Sequence, residues 1–89
     1  MSEPEEELLQ FPCRYPIKAM GIAEEDIHGL LLGILRDNQA TPHPDDVISR
    51  HSGQGKYVSI TATIHATSRA QLEAIYTALK ADARIRYLL

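Results

Sequence analysis

The 89 residues contain a single cysteine, Cys13. One cysteine closes no intrachain disulfide and supplies no C-x-x-C metal framework, which suits a reducing compartment. A basic surplus is missing as well: nine Lys and Arg stand against twelve Asp and Glu, for a formal net charge of −3. General nucleic-acid binding rests on such a surplus, so no nucleic-acid partner is expected. No apolar run approaches the ~18 residues of a membrane span, and the acidic start has no signal-peptide pattern. The expectation is a cytoplasmic protein without membrane association.

What is present is ordinary globular composition, 44% hydrophobic and 24% charged, in a length that suits one domain. Glu3, Glu5, Glu6 and Glu7 hold four of the twelve carboxylates. Residues 1–10 therefore read as an N-terminal arm and flap: an acidic arm over 1–7, then a small apolar cluster of Leu8, Leu9 and Phe11. Residues 11–89 read as the domain.

Apolar periodicity then sets the elements. Tyr15, Ile17 and Ala19 alternate with Pro16, Lys18 and Met20 in a first strand closed by Gly21. Ile27, Leu30, Leu31, Ile34 and Leu35 share one helical face, which predicts a helix over 23–38 with Glu24, Glu25 and Asp26 in its first turn. Gly29 and Gly33, four apart, allow a close helix contact there. A polar edge strand is expected over 46–52, then a hairpin loop over 52–56. Tyr57 to Ala66 alternates strictly, with Val58, Ile60, Ala62, Ile64 and Ala66 on one face. Ser68 and Gln71 have capping-box spacing at the head of a second helix, whose stripe is Leu72, Ile75, Tyr76 and Leu79. A last strand is expected over 84–89, with Ile85, Tyr87 and Leu89 facing inward.

The order β-α-β-β-α-β predicts an α+β fold. It is a ferredoxin-like βαββαβ sandwich: a four-stranded antiparallel sheet, first and third strands central, with both helices on one face.

Several pieces resemble the YbeD-like family of small uncharacterised bacterial proteins. They are Leu9-x-Phe11-Pro12, Lys18-x-Met20-Gly21, Gly55-x-Tyr57 with Ser59 and Thr63, Ala66-Thr67, Gln71-x-Glu73-x-x-Tyr76-x-x-Leu79, and Arg86 with Leu89. The resemblance covers residues 8 to 89 and departs at Ala62 and around Pro42–Pro44. It implies an ACT-like, ferredoxin-like fold and carries over no catalytic or ligand residue.

The residues themselves carry no catalytic signature. His28, His43, His51 and His65 lack metal-ligand spacing, and Cys13 has no histidine beside it in sequence. The stretch after the first strand, Met20 to Ala23, lacks the glycine-rich loop and arginine of an acylphosphatase. The open face of the third strand offers one aromatic, Tyr57, where RNA-binding sheets of this topology stack bases. No enzyme activity, metal or cofactor is expected.

One constellation stands out. Lys18, Arg84 and Arg86 are expected on the open sheet face near Thr61, Thr63 and His65. They form either a solvated polar face or a binding site for a small anionic metabolite or an acidic protein surface. The leading expectation is a non-catalytic regulatory or ligand-binding domain resembling ACT domains, with homodimerisation possible. The alternative is a protein-interaction adaptor using the open sheet face.

Overall fold

Strand β3 (Tyr57–Ala66) is the spine of the sheet. Its whole length pairs antiparallel with β1 (Cys13–Ile22), from Cys13 opposite Ala66 to Ile22 opposite Tyr57, in the computed structural model, which describes residues 9–88. On its other side β3 pairs antiparallel with β2 (Val47–His51), and β1 also pairs with the two-residue β4 (Tyr87–Leu88). The strand order is β2-β3-β1-β4, with the first and third strands central. Two helices, α1 (Ile27–Asp37) and α2 (Arg69–Ala81), complete the βαββαβ order of a ferredoxin-like sandwich.

The period of two in β3 fixes which face meets the helices. Ile60, Ala62, Ile64 and Ala66 are at most 1% exposed. Ile17 of β1 joins them, with Ile27, Leu31 and Leu35 of α1 and Leu72, Ile75 and Leu79 of α2. Burying each such aliphatic chain contributes about 1.5–3 kcal/mol. Phe11 packs on this core, so part of the expected flap belongs to the domain; Leu8 and the acidic arm lie outside the described residues.

Pro16 lies within β1, opposite Thr63, and not at its start. The Arg86 N–H donates to the Met20 carbonyl at 2.8 Å. Residues of Met20's parity, Pro16 included, therefore turn their backbone groups away from β3. The N–H that proline lacks costs no β1–β3 bond. Gly21 does not end the strand: it is buried within β1, and a Cβ there would collide with the Ile27 side chain and the Arg84 carbonyl oxygen.

Helix α1 begins at Ile27, the first residue of its apolar stripe and four residues later than the expected start, because Asp26 caps it: the carboxylate accepts from the Gly29 N–H at 2.9 Å. Glu24 and Glu25 lie in the turn before it, where Glu25 N–H donates to the Ile22 carbonyl. Gly29 faces the capping carboxylate and Gly33 is nearly open, so neither glycine mediates a close helix contact.

The last strand departs most from expectation. Asp82 ends α2, and its carboxylate accepts from both the Arg84 backbone N–H and the Arg84 guanidinium, while Ile85 N–H closes a turn onto the Asp82 carbonyl. That turn uses up residues 82–85 and shifts the parity of the strand beyond it. Tyr87 falls opposite Met20 on the open face, 63% exposed, and Leu88 turns inward opposite Ala19. Leu89 lies outside the described residues.

Candidate binding surface

The four strands carry Arg14, Lys18, Arg50, His51 and His65 but not one carboxylate. In a chain of net charge −3 this is a marked segregation: the described acids sit in helices, caps and turns. The face away from the helices takes alternate residues of each strand, and the register arranges them in rows. One row runs Arg50, Ser59, Met20, Tyr87 from β2 to β4. The next runs Ile48, Thr61, Lys18. Beyond it Thr63 lies opposite Pro16, and His65 opposite Arg14.

Each of the first two rows therefore sets a cation and an apolar side chain on opposite sides of a β3 hydroxyl. Ser59 is only 9% exposed, whereas Ile48 is 55% and Tyr87 63% exposed. These two are the exposed large hydrophobic residues among the described ones, and both lie on this face, three strand spacings and one row apart, about 16 Å.

Arg14 reaches across β3 to Asp46, at the foot of β2, with Nη2 3.0 Å from Oδ1. The hydrogen bond from Arg14 holds the Asp46 carboxyl below its ordinary range, and the same contact raises the guanidinium. With histidines neutral, Arg14, Lys18 and Arg50 against Asp46 leave this face at a net +2.

Of the six site residues expected from the sequence, Lys18, Thr61, Thr63 and His65 share the open face, with Lys18 and Thr61 directly opposite. The structure does not bring the two arginines to them. The Arg84 guanidinium is held by Asp82, Nη2 to Oδ2 at 2.7 Å, in the turn before β4. Arg86 is level with Met20 at the end of the sheet, beside Lys80 and Ile85. The sequence reading missed Ile48, Arg50, Met20 and Tyr87. The alternation within residues 46–52 was the available signal for the first two.

A second concavity, of about 620 Å³, lies between α2 and the β1–β4 edge, with Tyr15, Leu72, Tyr76 and Leu88 among its lining and Lys80 at its rim. Burial, reinforced by the neighbouring Tyr15 hydroxyl, pushes the Tyr76 phenol up to about 12. Leu9 and Leu88, the two ends of the described chain, both border this groove.

Among the described residues no three His, Cys, Asp or Glu side chains gather where they would hold a metal ion. No helix among them is long and apolar enough to cross a membrane.

Fold and surface together define a small α+β sandwich of the ferredoxin-like kind, with one sheet face left uncovered by its own helices. A family model described as a protein of unknown function (DUF493) matches residues 6–89, and the chain belongs to that family. Relatives called UPF0250 proteins agree. The one from Chromobacterium violaceum is 34% identical over all of both chains. The one from Nitrosomonas europaea is 38% identical over 96% of this chain and 98% of its own. The one from Janthinobacterium sp. is 33% identical over 98% and 96%. The resemblance to YbeD-like proteins drawn from the sequence thus holds. No solved structure matches the chain significantly.

Proposed function

We propose that this chain is a non-catalytic regulatory domain that works by binding a protein partner on the open face of its sheet. The observation that carries the reading is that Ile48 and Tyr87, the exposed large hydrophobics among the described residues, both lie on that face, one on each edge strand. Apolar side chains presented in a mainly polar and cationic setting are what a recognition surface offers. The likeness to ACT regulatory domains is one of fold and adds a direction, not a site.

The test places a photo-crosslinking amino acid at Tyr87 or Ile48 in the living cell, with Glu73 on α2 as the control position. The expected result is a discrete protein adduct from the two sheet positions and none from Glu73. Adducts from Glu73 alone, or from no position, overturn the reading.

A second reading, a small anionic metabolite bound at the face, is favoured by the direct opposition of Lys18 and Thr61. It predicts extra mass of small-molecule size in native mass spectrometry, on a monomer or on a homodimer.

A further inference from the structure

The geometry points to the chemistry of the partner: an acidic segment of another protein in which carboxylates alternate with apolar side chains. This rests on the reading of the open face as the binding surface. On β2 the apolar Ile48 stands beside the cationic Arg50; on β1 the order is reversed, Lys18 beside Met20. Because β2 and β1 flank β3, the two cations lie on one diagonal of the face and Ile48 and Tyr87 on the other. The centre between them is floored by the short side chains of Ser59 and Thr61. A partner must therefore offer both characters at once. Carboxylates answer Lys18 and Arg50, and aliphatic or aromatic groups cover Ile48, Met20 and Tyr87.

Charge complementarity sets the sign. The strands hold no acid, and Asp46, the carboxylate at the edge of this face, is already engaged by Arg14. A basic partner would find no anion to pair with and would meet like charge, which is unfavourable across an interface. A nucleic acid fits less well. The chain as a whole is negative, and of the two exposed apolar residues on the face only Tyr87 offers a base a ring to stack on.

The test is a titration of the isotope-labelled full chain, followed by amide NMR, with a synthetic amphipathic peptide of Glu and Leu. Parallel titrations use the same peptide with every Glu replaced by Gln, and an oligouridylate. The Glu/Leu peptide is expected to move the amides of Lys18, Ile48, Arg50, Thr61 and Tyr87. Neutralising both cations (Lys18→Gln with Arg50→Gln) should weaken it about tenfold, as two solvent-edged ion pairs together would. These are surface positions, and a dispersed spectrum of the variant confirms its fold. If the Gln/Leu peptide binds the same amides equally well, the acidic partner is overturned while the face remains a binding surface. If oligouridylate binds there more tightly, the protein partner is overturned. If the peptides move only the α2 groove around Leu72 and Tyr76, or nothing, both this inference and the reading beneath it fall.

Discussion

The side-chain amide of Gln71, in the first turn of α2, donates to the main-chain carbonyl of Asn38 at the end of α1, at 2.8 Å. The same amide's oxygen accepts from the Thr67 N–H at 2.8 Å, while the Gln71 backbone N–H is capped by the Ser68 hydroxyl at 3.1 Å. One side chain thus satisfies a donor before one helix and an acceptor after the other. The capping box legible in the sequence is here also a tie between the two helices. Replacing Gln71 by Ala should remove the side-chain bonds to Thr67 and Asn38 and destabilise the fold by about 1–2 kcal/mol, while Gln71→Glu should keep the bond accepted from the Thr67 N–H and lose the one donated to the Asn38 carbonyl. Urea unfolding of the two variants beside the parent checks the order.

Gly21→Ala should be more severe. The new methyl group would meet a backbone carbonyl, Arg84's, as well as the side chain of Ile27, and a carbonyl fixed by the turn before β4 cannot rotate away. Overpacking of this kind costs about 1–3 kcal/mol, and the upper end is expected. A lower urea midpoint with an unchanged slope is the expected signature.

The Asp82 carboxyl is held at about 2, against an ordinary 3.8, first by the Arg84 guanidinium and then by the Arg84 backbone N–H. The folded value lies below the unfolded one. Its stabilisation is therefore present above about pH 4 and is lost as pH falls through about 2. In Arg84→Gln the carboxyl should titrate closer to 3.8, visible in its carbon-13 resonance.

Tyr76 has the opposite sign. Its neutral phenol is favoured in the fold, so the contribution is complete below pH 10 and is lost as pH rises through about 12. Spectrophotometric titration of Tyr15→Phe should show Tyr76 ionising at lower pH than in the parent. It should stay above 10, because burial, the larger cause, remains.

Ile48→Thr and Tyr87→Thr should each change stability by no more than about 0.5 kcal/mol, since both side chains already face solvent. Ile60→Val, one methylene removed from the closed core, should cost about 0.5–1.5 kcal/mol. Equal losses at all three positions in thermal unfolding would mean that Ile48 and Tyr87 hold the fold together and are not a surface kept for a partner.

The sequence by itself determined the elements whose signal is local. The alternation from Tyr57 to Ala66 sets β3 residue for residue, because each side chain in a sheet with one buried face must choose oil or water. The stripes at Ile27, Leu31 and Leu35 and at Leu72, Ile75 and Leu79 set the helices for the same reason. Order and element types then left few ways to close the sheet, and the expected strand order is the one observed.

Only the tertiary structure decided where the basic residues go. Arg84 and Arg86 have the right parity for a cluster with Lys18 if residues 84–89 run straight. Instead Asp82, a cap as well as an ion-pair acceptor, bends residues 82–85 into a turn and keeps Arg84 for itself. The same bend turns Tyr87 outward beside Met20. Likewise Ile48 and Arg50 belong to the candidate surface through their register with Thr61 and Ser59, which the closing of the hairpin between β2 and β3 sets. A hydrophobic period reports whether a residue faces the core; which surface residues become neighbours depends on strand pairing and turns between residues distant in the chain.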